Sequence, residues 1–413
     1  MADVDLSMAG KLGNKLLDQL SSLREIDGIH WSEASHGWLI TRHADVDDAL
    51  QGKFPLSLRR IEKIMFGPMS PKELVQLPML RRFIPQWPVD MDPPEHTRLR
   101  KLLVKAFSRK VVEGVRPFVK ERVAVLMDKL ERQPEIEFNE GITRQLPGSV
   151  ILKLFGLPQE HIERLKDWAN WFQEGIGVPY ADIEKKKLAE RAMREMTEMF
   201  EAEIAARKGK PPQDDLISSL MTSTEDGDSL SHDEMLGALQ LVLVAGHDTT
   251  SATLTLGLAA LAEHPQLWDY MYRQPDKMLE SSLELMRYVA MSTAQIRVAA
   301  ADFDWHGKQI HQGDFVFLMF AAANRDPRVF SNPDQIDPDR NNERSMVFAP
   351  GLHHCIGHML AKMQVTEFLS ELVRRFEGAK VLDRELNFMS QIAFRGLFHL
   401  NVRMKPRAQA RAA

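Results

Sequence analysis

Cysteine is almost absent from this chain: one of 413 residues. No intrachain disulfide framework can hold it together. Long apolar runs are missing too, with none of the roughly 18 residues that a bilayer span needs. Met1 to Gly10 lacks the charged-then-apolar pattern of a leader, so a soluble, cytoplasmic protein without a membrane anchor is expected. Nor is there an excess of positive charge. The net charge is −5 and the basic residues are dispersed, which excludes the electrostatic footprint of a nucleic-acid binder. No Ser/Gly-rich linker, low-complexity stretch or internal repeat divides the sequence. One domain over residues 1–413 is expected, with a disordered tail after Lys405.

What is present is helical periodicity over most of the length. Strand-like runs are confined to Gly37–Thr41, Gln295–Ala299, Phe315–Phe320 and Leu397–Arg403. These features predict a mainly α fold with small β-sheets. Between Phe54 and Pro94 prolines interrupt short apolar clusters, the pattern of a binding loop. The charged break from Arg207 to Asp215 reads as a solvated loop. From Ser231 a long helix is predicted to run to about His264, opened by the Ser231/Glu234 capping box and stopped by Pro265. At ~1.5 Å per residue such a helix crosses the whole domain. Its middle, Leu236 to Ala245, is apolar nearly all round and therefore buried.

The cysteine sits in Phe348-Ala349-Pro350-Gly351-Leu352-His353-His354-Cys355-Ile356-Gly357. A lone intracellular cysteine is ordinarily a small buried hydrophobe. Here Gly351 and Gly357 permit a tight turn and close approach of a flat ligand, and Met359, Leu360 and Met363 resume helical spacing. Cys355 thus lies at a helix N-terminus, where free N–H groups favour a thiolate.

Within the buried helix, Ala245-Gly246-His247-Asp248-Thr249-Thr250 puts poor helix formers and an acid where burial argues against them. Leu241, Ala245, Thr249 and Ala252 share one face, a wall of small side chains and one hydroxyl. Two readings stand: the threonines back-bond one turn earlier while Asp248 makes a buried pair, or the face serves a cofactor. A local widening of the helix at Gly246 is a further expectation.

On the helix opened by Asp92-Pro93-Pro94, His96 and Arg100 share a face with Leu103 and Phe107, while Arg98, Lys101, Lys105 and Arg109 form the opposite stripe. Cations on an apolar face either snorkel around the helix edge or meet an anion. Glu284 and Arg287 look plainer. Leu279, Leu283 and Met286 mark the buried face and Glu284 falls opposite, so spacing gives a surface ion pair worth under about 1 kcal/mol.

These segments match F-x-x-G-x-x-x-C-x-G, A-G-x-[DE]-T-T, H-T-x-x-R and E-x-x-R in order, with Asn324-Arg325-Asp326-Pro327 also in place. The chain resembles the cytochrome P-450 family, the haem-thiolate monooxygenases, in their soluble bacterial form, over nearly its whole length. The resemblance implies haem b held between the long central helix and the cysteine loop, with Cys355 ligating the iron. It further implies Ala245, Gly246, Phe348 and Gly357 as cofactor contacts, and His96, Arg100, Arg297 and His353 as propionate partners. Thr249 is expected to hydrogen-bond the oxygen being activated and Asp248 to relay protons to it. Glu284, Arg287 and Arg340 become a covered structural network. Ala349 departs from the family's usual glycine, a change expected to tighten the loop only. A monomer is expected, using O2 and a ferredoxin-type donor with its reductase, the donor docking on the Arg98 to Arg109 stripe. The substrate is expected to be a hydrophobic small molecule: a terpenoid, steroid, fatty acid or aromatic, most simply hydroxylated. By family position the pocket draws on the loop from Phe54 to Trp87, Trp171, Phe172, Leu241, Val244, Met291, Ala294, Ile296, Ile392 and Phe394. Arg81 and Arg82 are either a solvated pair or partners for a substrate carboxylate. The rival readings are a peroxide-driven haem oxygenase, a non-catalytic haem ligand-binding protein and a cysteine hydrolase.

Overall fold

A computed structural model describes residues 3–176, 182–225 and 227–408. Its longest element, the central helix, runs from His232 to Glu263. Ser231 caps it: the hydroxyl accepts from the Glu234 N–H, and the Glu234 carboxylate accepts from the Ser231 N–H. It ends two residues before Pro265, which opens the helix Pro265–Arg273. Helices Gln145–Phe155, Ile162–Gly175, Ile183–Arg207, Met278–Val289 and His358–Arg375 pack against it. Leu236, Leu239, Leu243, Leu254, Leu258 and Leu261 enter the main core from this one helix. Each fully buried leucine contributes roughly 2 kcal/mol. Packing of this kind holds a helix whose middle has weak intrinsic propensity.

The sheets are small. Gly37–Ile40 pairs antiparallel with Ile29–Ser32 and parallel with Phe315–Leu318, which pairs antiparallel with Gln295–Ala299; Leu56–Ser57 closes the edge. The run expected to reach Phe320 stops at Leu318, because Phe320 opens the short helix Phe320–Ala323. A second sheet joins Phe376–Val381, Asn401–Pro406 and Glu135–Glu137. Its middle strand starts at Asn401, since Leu397 is held in an isolated bridge to Phe388. Lys405 belongs to that strand and does not begin a tail; residues 409–413 lie outside the described residues.

Two expectations are corrected in the connecting segments. The proline-rich stretch is a chain of short helices, Ile61–Met65, Pro71–Leu74 and Pro78–Phe83, followed by the 3-10 turns Ile84–Gln86 and Pro88–Asp90. Several prolines sit in the first turns, where the missing N–H costs nothing. Helix Ile183–Arg207 holds this stretch with two charges one turn apart: Lys186 donates to the Met65 carbonyl at 2.9 Å, and Glu190 accepts from the Met79 and Leu80 N–H groups at 3.0 and 2.9 Å. The charged break is solvated only from Lys208 to Asp214. Its ends, Arg207 and Asp215, are buried and paired at 3.1 Å.

The Glu284/Arg287 pair is also corrected. Both side chains are 0% exposed, and Arg287 donates to Glu284 through two bonds of 2.7 and 2.8 Å. Arg340 donates to the same carboxylate at 3.0 Å, and the Asp337 N–H at 2.9 Å. Leu279, taken as a core position, is instead exposed. Met286 is buried and Leu283 packs against the core as expected, but the helix Met278–Val289 is covered on its charged side as well, which apolar spacing did not show. Removing one partner of a buried pair costs about 3–5 kcal/mol, against under about 1 kcal/mol for an exposed one. Glu284→Gln should therefore lower urea stability by about 3–5 kcal/mol, while Arg403→Gln, which breaks the exposed pair with Glu135, should change it by under about 1 kcal/mol.

Candidate active site

Cys355 lies between the 3-10 turn Met346–Phe348 and helix His358–Arg375. Its N–H donates to the Phe348 carbonyl at 2.9 Å, and the His354 N–H donates to the Gly351 carbonyl at 3.1 Å, closing a tight loop. The sulfur faces an internal cavity while lying deep in the molecule. Burial pushes the thiol pKa up, and the Gly357 N–H and the Arg100 guanidinium pull it down. The helix-terminus argument for a thiolate is thus only one of several opposing effects. Gly351 has φ +84°, and a side chain there would collide with the Leu50 carbonyl. Its glycine answers to the protein's own backbone, not to a flat ligand. A Cβ at Gly357 would meet no protein atom within 4 Å, so internal packing does not demand that glycine.

Beside the cysteine the helix Glu95–Ala106 and the loop bring basic groups together. The His96 and His353 rings stack with centroids 3.7 Å apart. Both His96 nitrogens and His353 Nε2 are buried without a hydrogen-bond partner among the described residues. Arg100 bonds the His354 carbonyl. Arg297 is buried and bonds Ile296 O and Gln295 Oε1. Burial pushes its pKa down to about 9, and burial with neighbouring His96, Arg297, Arg60 and Arg100 pushes His353 down to about 2. Arg60, which sequence reasoning missed, completes the set. It pairs with Asp90 at 3.5 Å, and burial raises that carboxyl to about 6. A cluster this rich in buried cations and idle imidazole nitrogens is complementary to an anionic ligand. Haem propionates fit that demand, and the Cys355 sulfur on the same cavity fits an iron. Nothing in the composition of the proline-rich segment singled out Arg60, because its charge has meaning only beside His353.

Across the cavity stands the central helix. Leu241, Ala245, Thr249 and Ala252 all line the cavity, as their common face predicts. The helix is α-helical from His232 to Glu263, so the expected widening at Gly246 is absent. Gly246 instead faces Ile151, whose Cδ1 would lie 2.8 Å from a Cβ there. It is needed for helix packing and does not line the cavity. The Thr249 hydroxyl donates to the Ala245 carbonyl at 2.7 Å. Asp248 is bonded to His247 Nδ1 at 2.8 Å and lies 4.0 Å from Arg144. Burial tends to raise the Asp248 pKa, yet His247 and Arg144 hold it below its ordinary value. His247 is itself fully buried, its other nitrogen 3.2 Å from the Arg144 carbonyl. The back-bonding reading thus describes this geometry, and it leaves the hydroxyl oxygen able to accept.

The space between widens into a cavity of about 970 Å³. Leu241, Val244, Met291, Ile296, Ile392 and Phe394 line it, as does Phe172. Ala294 does not: it is buried in the core packed under the first sheet. Trp171 lies under Arg191 instead. Arg82 is tied to Asp233 by bonds of 2.9 and 2.6 Å, so it is not a substrate partner. The basic stripe is partly neutralised too. Arg98 pairs with Asp228 and Glu234, Lys105 pairs with Glu225, and Arg109 belongs to the next helix, Arg109–Gly114.

The family model for cytochrome P-450 matches residues 163–394. The mycinamicin IV hydroxylase/epoxidase of Micromonospora griseorubida is 30% identical over 96% of both chains. The biotin biosynthesis cytochrome P-450 of Bacillus subtilis is 31% identical over 75% of this chain and 78% of its own. Among solved structures, the bacillaene polyketide synthase cytochrome P-450 PksS of Bacillus subtilis superposes with a TM-score of 0.83 at 27% identity, covering 96% of this chain and 98% of its own. The chain belongs to the cytochrome P-450 family of haem-iron monooxygenases. No helix among the described residues is long and apolar enough to cross a membrane.

The family departure at Ala349 has a consequence in this geometry. Ala349 has φ +52° and ψ 120°, a region that strains any residue with a Cβ, and it is buried directly ahead of the cysteine loop. Ala349→Gly should raise stability by about 1 kcal/mol, seen as a higher urea midpoint with unchanged slope. An unchanged midpoint would show that the loop carries no such strain.

Proposed function

We propose that this chain holds haem b with Cys355 as the iron ligand and hydroxylates a hydrophobic small molecule, taking electrons from a ferredoxin-type donor and its reductase. One observation carries the reading. A single cavity has the Cys355 sulfur and the His96/Arg100/His353 cluster on one side and the small-residue face around Thr249 on the other. The bound haem supplies the activation of dioxygen and the oxidation itself. The chain's own residues do the rest. Arg100, Arg297 and Arg60 neutralise the propionates, the two uncharged imidazoles donate hydrogen bonds to them, and Phe348 packs beside the sulfur. Thr249 receives and passes a proton at its hydroxyl, and Asp248, aligned by His247, replenishes it. Glu284, Arg287 and Arg340 act structurally. The apolar lining excludes water from the reacting carbon.

The Asp248/Thr249 pair favours reductant-driven turnover over a peroxide-driven oxygenase and over a ligand-binding protein without catalysis. A cysteine hydrolase is disfavoured because no imidazole among the described residues bonds the sulfur; His358 Nδ1 bonds the Cys355 carbonyl instead, at 2.9 Å. The donor surface reduces to Lys101 and Arg109, the charges of the stripe without an ion-pair partner among the described residues. We read the chain as one domain over residues 1–413, monomeric and cytoplasmic.

Reduced wild-type protein with carbon monoxide should give the thiolate-type haem spectrum, and Cys355→His should bind haem but lose that spectrum. A wild type without it refutes the ligand assignment. Thr249→Ala should consume reductant at a similar rate while releasing severalfold more hydrogen peroxide per product, a general acid–base loss of about tenfold or more in productive proton transfer. Unaltered coupling removes Thr249 from the reaction.

A further inference from the structure

The polar groups along the large cavity differ in one respect: almost every cation is already engaged. Arg60 is paired with Asp90 and donates to the Leu58 and Val89 carbonyls at 3.1 and 2.9 Å. Arg144 pairs with Glu140 at 2.9 Å and lies 4.0 Å from Asp248, so two carboxylates match its charge, although its Nε and Nη2 have no hydrogen-bond partner among the described residues. Arg395 donates to the Val289 carbonyl at 2.9 Å and to Asn14 Oδ1 at 2.6 Å. Lys63, at the rim, donates to the Gly313 carbonyl and lies 4.6 Å over the Phe315 ring. His36 is exposed at the same rim. A carboxylate carried into this cavity would leave water to meet cations already bonded to other groups of the protein and the Asp248 carboxylate on the same lining, an unfavourable transfer.

Gln173 is the opposite case. It lines the cavity from helix Ile162–Gly175, and among the described residues its amide nitrogen touches only the thioether of Met389, a weak acceptor. Its carbonyl oxygen accepts no hydrogen bond among the described residues. Gln391, two residues beyond Met389, brings a second neutral amide to the same cavity from the C-terminal loop. An amide in apolar surroundings gains most from a ligand that supplies the missing partner.

We infer that Gln173 is a specificity-determining residue and that this cavity takes neutral, oxygen-bearing apolar molecules, ketones or alcohols, in preference to carboxylic acids. The inference rests on the cavity being the substrate site. A ketone oxygen would accept from the Gln173 amide in place of the sulfur, and an alcohol would also donate to its carbonyl.

The test uses the haem-loaded full chain and three probes sharing one skeleton: 5α-androstan-17-one, 5α-androstane and 5α-androstane-17β-carboxylic acid. Affinity is measured by equilibrium dialysis and by the spectral shift of the haem. The thiolate-type carbonyl spectrum is recorded first, so failure of the haem assignment is seen separately from failure of this one. Wild type should bind the ketone at least about fivefold more tightly than either the hydrocarbon or the acid, the worth of one hydrogen bond. Gln173→Leu, alone or with Gln391→Leu, should bring the ketone to the level of the hydrocarbon without weakening the hydrocarbon. Lys63→Met should leave ketone affinity unchanged. The inference is overturned if the acid binds most tightly and loses affinity in Lys63→Met, if the ketone keeps its advantage in both glutamine variants, or if none of the three probes binds.

Discussion

Glu284 and Arg287 are removed completely from water on one helix, and the cysteine loop depends on how that charge is satisfied. Arg287 has donors left after its two bonds to Glu284. It spends them on the carbonyls of Asn324, at 2.7 Å, and Pro333, at 2.9 Å. Asn324 then turns its side chain to the Met346 N–H, which it accepts at 2.7 Å. Met346 begins the 3-10 turn that leads into the cysteine loop. Each donor a buried guanidinium leaves idle costs stability, so the requirement propagates from the helix through an irregular segment to the loop that presents Cys355. In a region with little regular secondary structure, this chain of bonds replaces a sheet or helix ladder.

The cavity beyond that loop is bounded by two kinds of wall with opposite physics. On one side His96, His353, Arg100, Arg297 and Arg60 crowd together, and loss of water depresses their pKa values, with repulsion between neighbours adding to it at His96, His353 and Arg297. Such a wall is stabilised by an anion. On the other side the central helix presents small side chains, which cost little to leave uncovered. Asp248 lines the cavity at the edge of that face while His247, fully buried, bonds it from behind and keeps an acid next to Thr249. The neutral amide of Gln173 joins the lining of the larger cavity from helix Ile162–Gly175.

Much of this was legible in the residues. The central helix could be bounded from Ser231, Glu234 and Pro265, because capping and proline chemistry act locally. The shared face of Leu241, Ala245, Thr249 and Ala252 followed from the helical repeat. Other features were hidden. Glu284 appeared to face solvent because periodicity counts apolar residues, and a buried ion pair inverts that rule. The prolines from 71 to 88 suggested a loop, yet proline at the start of a helix favours it. Arg98 and Lys105 looked like a free basic stripe until the acidic hairpin around Asp228 folded against them. Arg60, Arg144 and Gln173 gave no local signal at all.

By itself the sequence determined the mainly helical class, the long buried helix and the order of the motifs that carry the family likeness, since each rests on residues within a few turns of one another. Only the tertiary structure decided which cations meet at the cavity, which are neutralised elsewhere, and which glycines answer to packing: Gly246 to Ile151, Gly351 to Leu50. Those outcomes depend on contacts between distant segments. The charge of a side chain is written in the sequence, but what satisfies it is set by the fold.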